Sequence, residues 1–195
     1  MGIQRSGGGN GPDRLPSLTP EAFTPAQTAA AASFAAVRGV PVFGPFWPLI
    51  RSPELMLRAH EMGYYLRYHS SLPFVLSEMA ILLVSRLWSQ PVEWEIHRPA
   101  ALKAGLPLAV VEAISEGRRP VSMEPAQAAV YDVFDQLHRM RGIDDALYAR
   151  ACDLLGEQGL IDLAAVAGYY TLLAMTMNIA RTKTAGDDVP PLSGT

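Results

Sequence analysis

The stretch Pro73-Phe-Val-Leu-Ser-Glu78-Met-Ala-Ile-Leu-Leu-Val-Ser-Arg86-Leu-Trp88, followed across Ser89-Gln90 by Pro91-Val-Glu93-Trp94-Glu-Ile-His97-Arg98, decides the fold. Its first part is apolar almost all round and too long for an ordinary strand, so it reads as a helix with no face to offer water. Such a helix belongs in the middle of a bundle. The second part opens on Pro91, which suits a first helical position, and runs to about Ala104 before Gly105 ends it.

The same punctuation recurs on both sides. Thr24-Pro25 starts a helix that Gly39 stops, and Ser52-Pro53-Glu54 starts one that lasts to about His69. Pro107 opens a short helix to Glu116, Pro125 one to Met140, and Asp144 caps another through Leu155; Gly159 then leads into a long buried helix ending near Arg181. No run alternates apolar and polar residues as a half-buried strand does. The expectation is an all-α, single-domain bundle of about seven or eight helices over residues 21–181, with a flexible segment at 1–20 and a disordered tail at 182–195. Between the first two helices, Gly39 to Pro53 mixes prolines and glycines with Val42, Phe43, Phe46 and Trp47. Composition favours a loop covering the core over a pocket wall, in which case Phe46 and Trp47 would line the pocket.

A chain of 195 residues with 49% hydrophobic residues can bury a core without a disulfide or structural metal. Its one cysteine, Cys152, excludes an internal disulfide, a CxxC redox pair and a thiolate zinc site, and reads as a packing residue. A net charge of −3 with scattered arginines offers no footprint for nucleic acid. The N-terminus lacks the apolar core of a secretory signal, and Leu160 to Ala180, interrupted by Asp162, Gly168 and Asn178, reads as a buried helix in preference to a membrane span. The cytoplasm is the expected location.

Glu78 stands inside the apolar run and needs a partner, because a buried carboxylate is costly alone. His97 can meet it if the two helices pair across Ser89-Gln90. Glu93 and His97 are four apart and share a face, with Trp94 and Arg98 on the adjoining one. Two carboxylates and an imidazole brought together can move protons near neutral pH. A structural ion pair accounts for Glu78 equally well, and a Glu/His pair four apart is often a solvated face. The same residue types are plausible metal ligands, but no Glu-x-x-His pair of the di-metal bundle kind occurs, so no metal is expected. Tyr64, Tyr65, Tyr68 and His69 crowd the end of the preceding helix, where Tyr65, Tyr68 and His69 are candidates to line a pocket. His60 and His138 read as surface or interface groups.

Ser77-Glu78-Met-Ala-Ile-Leu-Leu-Val, Val92-Glu93-Trp94-Glu-Ile-His97 and Ala101-Leu-Lys-Ala-Gly105-Leu106 resemble the carboxymuconolactone decarboxylase family, which includes the AhpD-like alkylhydroperoxidases. The likeness covers about Pro53 to Arg181 and takes in Gly159-Leu-Ile-Asp162 and Tyr169-Tyr170 through Asn178. In the peroxidase branch a glutamate, two cysteines and a histidine follow one another at intervals of 12, 3 and 4, which here lead from Glu78 to Gln90, Glu93 and His97. The ends match and the thiols are missing, so a dithiol peroxidase cycle is not expected. The resemblance is to the thiol-free members. It implies an AhpD-like helical bundle assembled as a homo-oligomer, a trimer or dimer of trimers. It also implies a cofactor-free decarboxylase acting on a small carboxylated or lactone compound, in the manner of aromatic-compound catabolism. Glu78 and His97 would handle the protons with Glu93 tuning them as the third catalytic group, and Arg98 or Arg86 would orient a carboxylate. A non-catalytic oligomeric protein that binds a small ligand is the alternative.

Overall fold

The computed structural model describes residues 11–184 and Leu192. The parts of the expected flexible segment and disordered tail at residues 1–10, 185–191 and 193–195 lie outside the described residues. Among those described there are eight α-helices and no strand: α1 (Pro25–Arg38), α2 (Phe46–Leu49), α3 (Pro53–Tyr68), α4 (Phe74–Leu87), α5 (Pro91–Lys103), α6 (Leu108–Ser115), α7 (Pro125–Met140) and α8 (Asp145–Ala180).

Local chemistry sets most of these boundaries. Thr24 and Gln27 form a reciprocal capping box at the start of α1, and Gly39 ends it in the left-handed region with φ 70°. Glu124 and Gln127 repeat the box at α7, and the Asp144 carboxylate accepts the Leu147 N–H at the start of α8. One expectation about α8 is corrected. Its break falls at Gly156, whose φ of 73° and ψ of 163° few residues but glycine adopt, and Gly159 sits inside the second, helical part. Gly159 is buried with the Leu155 Cβ against it, so it serves packing and not punctuation.

Every residue of α4 from Leu76 to Ser85 is buried, as its all-round apolarity requires. α5, α6, α7 and α8 pack around it, with α1 and α2 resting on α3. α8 is fastened to both ends of α4. At one end Asp162 accepts hydrogen bonds from the Ser71 N–H at 2.8 Å and hydroxyl at 2.9 Å. At the other Asn178 accepts from Gln90 Nε2 at 2.8 Å and donates to the Trp88 carbonyl at 3.0 Å. These polar groups interrupt the apolar run of α8 because they hold the turns that flank α4. By length and composition α8 would also suffice to cross a membrane, but half of its apolar window is buried against the other helices.

Residues 11–20 are joined to the body: Arg14 donates its backbone N–H to the Ala180 carbonyl at 2.7 Å, and Arg51 donates to the Pro16 carbonyl at 2.6 Å. The segment between α1 and α3 is not wholly irregular. It forms the single turn α2 and buries Val42, Phe46, Leu49 and Ile50 in the core.

Candidate active site

Glu78 sits on α4 with none of its surface exposed, and it has two partners. Its Oε2 lies 2.7 Å from Nδ1 of His97 on α5, and its Oε1 accepts from Nη2 of Arg67 on α3 at 3.3 Å. The α4–α5 hairpin therefore makes the pairing that its sequence allows. A carboxylate against Nδ1 requires that nitrogen to carry the proton, leaving Nε2 as the atom that gives or takes one. Tyr170 of α8 meets the imidazole edge-on, with ring centroids 5.1 Å apart and planes at 89°, and Tyr169 meets Tyr170 in the same way at 5.2 Å. Burial pushes the Tyr169 phenol up to about 12 and Tyr170 well above its usual range, so both remain neutral at physiological pH.

His97 lines a cavity of about 40 Å³. Glu93, Arg67, Arg38 and the phenols of Tyr169 and Tyr170 are its other polar lining groups, and Phe43, Phe46, Ile96 and Leu173 are among its apolar ones. At roughly 10–15 Å³ for each water centre, the space holds a few waters and no ring-sized compound until a wall moves. That wall includes Phe43, Pro45 and Phe46, so the Gly39–Pro53 segment is a pocket wall as well as a cover for the core.

Glu93 shares the cavity with His97, as a spacing of four on one helix face dictates. Neither of its carboxyl oxygens has a hydrogen-bond partner. Burial holds the group well above the usual carboxylate range, and the nearby Ser85 hydroxyl, itself unbonded, offsets this only weakly. The two acids thus differ in kind: Glu78 is paired with a cation and an imidazole, whereas burial without a hydrogen-bond partner favours the protonated form of Glu93.

A stability consequence follows from linkage. The unfolded chain releases the Glu93 proton near the ordinary value of 4.5 and the folded chain only at higher pH. Its contribution to stability is therefore greatest below that value and declines as pH rises toward the raised folded value. Glu93→Gln should remove this decline. In thermal melts from about pH 5 to about pH 8 the variant should gain on the wild type as pH rises; parallel curves would contradict a neutral buried Glu93. The tyrosines do not interfere, since their shifts act only above pH 10.

Of the other residues proposed from sequence, Phe46 reaches the cavity and the rest do not line it. Tyr65 and Tyr68 lie on the outer face of α3; Tyr65 donates to Asp162 at 3.4 Å, and Tyr68 stacks beside Tyr64 under the Arg67 guanidinium. His69 is exposed at the end of that helix, and Trp47 is half-buried in α2, packed against the core. Trp94 is buried and Arg98 half-buried, both turned off the Glu93/His97 face, as the adjoining stripe requires. Arg86 lies by a different cavity.

His60, expected at the surface or an interface, is buried within the chain and accepts a 3.1 Å hydrogen bond from Arg38 at Nδ1. Burial, with the Arg38 charge beside it, lowers its pKa and keeps it neutral. Arg38 and Arg67 are functional candidates that the sequence reading passed over. A signal for Arg67 existed: Met56, Ala59, His60, Gly63, Leu66 and Arg67 form one helical stripe, and a buried Glu78 calls for a cation.

Gly63 on that stripe permits the closest approach in the site. A Cβ there would collide with the Tyr169 hydroxyl and ring, and Tyr169 is buried and cannot swing away. Gly63→Ala would gain about 1 kcal/mol of helix propensity and lose roughly 1–3 kcal/mol to overpacking. The expected result in chemical denaturation is net destabilisation, together with displacement of Tyr169; a stabilised variant would refute the close approach. Compared with protein-family models and with curated proteins, the chain matches none.

Proposed function

We propose that the chain is a cofactor-free acid–base enzyme of the carboxymuconolactone decarboxylase type, acting on a small carboxylated or lactone compound. The observation that carries this reading is the buried 2.7 Å contact between Glu78 and His97 at the edge of a cavity. A carboxylate that fixes an imidazole by one nitrogen leaves the other ready for proton transfer.

In a decarboxylation the bond to the carboxylate carbon breaks, carbon dioxide leaves, and the electron pair is held by a conjugated carbonyl until carbon is protonated. Arg38 and Arg67 supply positive charge for the substrate carboxylate, in place of the Arg98 and Arg86 suggested by sequence. Glu93, whose protonated form burial favours, is placed to stabilise the enolate oxygen by donating a hydrogen bond, and His97 Nε2 can deliver to carbon the one proton the reaction consumes, which it takes up from solvent. The apolar wall favours loss of charge as carbon dioxide forms. A dithiol route lacks its thiols: Gln90 instead caps α5 by accepting the Val92 N–H at 2.8 Å.

The reading places the enzyme in the cytoplasm as a homo-oligomer. Ile161, Leu172, Met175 and Ile179 form an exposed apolar stripe on one face of α8, which supports burial against another copy. The alternative is a non-catalytic ligand-binding protein of the same bundle, in which the Glu78–His97 pair is structural.

The ultraviolet absorbance of carboxymuconolactone and related lactone acids, followed with wild type and His97→Asn, separates the two. Consumption by the wild type that the folded variant lacks supports the enzyme. Binding without consumption supports the alternative.

A further inference from the structure

A second cavity, of about 310 Å³, lies among α4, α6 and α7 and shares no lining residue with the Glu78 site. Leu83, Ile114 and Phe134 give it an apolar wall, and three arginines also line it. Two of these are neutralised locally. Arg118 pairs with Glu116, and Arg139 Nε lies 2.9 Å from Asp135.

Arg86 is different. Among the described residues it has no acidic partner, and its Nε is buried without a hydrogen bond. The guanidinium rests against Gly117, where a Cβ would stand 3.1 Å from Nη2 and 3.3 Å from Nε. Glycine, at φ 71°, leaves it that room. Arginine has no neutral form to adopt, so the buried Nε–H without an acceptor leaves a partly desolvated charge that an external anion on the guanidinium would offset. Two further groups on the cavity can bond to an anion. The Tyr131 hydroxyl, raised in pKa chiefly by burial, stays a neutral donor. His138 donates Nδ1–H to the Phe134 carbonyl at 2.7 Å, which leaves its Nε2 free to donate when the ring is protonated.

We propose that this cavity binds a small aryl or branched-alkyl carboxylate, its carboxylate on Arg86 and its apolar body against Leu83, Ile114 and Phe134. The volume falls at the lower end of the roughly 300–1,000 Å³ typical of ligand pockets and suits a single ring. An inorganic anion would leave the apolar wall uncovered. The proposal goes beyond the acid–base reading and stands or falls apart from it.

Benzoate titrated into the full chain by calorimetry tests it, with benzyl alcohol as the neutral counterpart. Benzoate should bind at least about tenfold more tightly than the alcohol, and Arg86→Met should weaken it by about tenfold or more. Arg86→Lys, which keeps the charge, should retain part of the affinity even if the methionine variant folds poorly. Glu93→Gln, in the other cavity, should leave it unchanged. No benzoate binding, equal binding of the alcohol, or binding undiminished in both Arg86 variants would overturn the proposal. So would the finding that benzoate has no effect while Arg86→Met alters sedimentation, which would assign the guanidinium to an acidic side chain of a neighbouring copy.

Discussion

Glu78→Gln is expected to lower turnover of the lactone acids by roughly 10²–10⁴-fold, the usual contribution of a positioned acid–base group, with little change in KM. The amide keeps the volume of the acid and can still bond to Arg67 or His97, so the bundle should remain folded. It cannot balance the charge of an imidazolium, and it can present an N–H to Nδ1, which would place the imidazole proton on Nε2. His97→Asn should cost a similar factor. The informative variant combines both. Because Glu78 acts through His97, across 2.7 Å, the double variant should be no worse than the poorer single one. Multiplicative losses in the double variant would show that the two act independently and would refute the relay.

The second large effect concerns stability. Phe34→Ala should destabilise the protein by about 3–5 kcal/mol, a large part of the roughly 5–15 kcal/mol by which domains of this kind are folded. Phe34 is fully buried, and only Ala30 accompanies it among the buried residues of α1. Its ring meets Phe46 at 4.7 Å, His60 at 4.9 Å and Phe43 at 5.8 Å between centroids, and the Arg38 guanidinium lies 5.9 Å above it. One side chain thus joins α1, α2 and α3. Denaturant unfolding measures the loss, and limited proteolysis locates it, with cleavage expected first in α1 and the Gly39–Pro53 segment. Phe34→Leu, which keeps most of the volume, should cost far less. A small loss in the alanine variant would mean that α1 is anchored elsewhere.

Most helix boundaries were legible because they depend on neighbours in sequence. Thr24-Pro25, Ser52-Pro53, Gln90-Pro91 and Glu124-Pro125 each place a proline at a first helical position, and α1, α3, α5 and α7 begin there. The burial of Glu78 was legible for the same reason, since ten residues around it form one buried run. The role of Arg67 was not, because it is set by the crossing of α3 and α4. Tyr65 and Tyr68 are three apart and so share a helix face, but only the packing of α3 on α1 and α8 decides that this face turns outward. The burial of His60 was not legible either, since it depends on Phe34, Phe46 and Arg38, which arrive from α1 and α2. Gly156 and Gly159 are equivalent punctuation on paper, and only the backbone separates the break from the close contact.

A cavity of about 40 Å³ walled on one side by Phe43, Pro45 and Phe46, too small for a ring until that wall shifts, also sets the tempo of binding. A ring-sized compound enters only during the fraction of time that this wall stands open. The observed association rate is then the docking rate scaled by that fraction, and the apparent affinity is reduced by the same factor. Substitutions that loosen α1 and α2 would speed entry while exposing the imidazole to bulk water, so the aromatic cluster around Phe34 trades speed of capture against shelter for the proton.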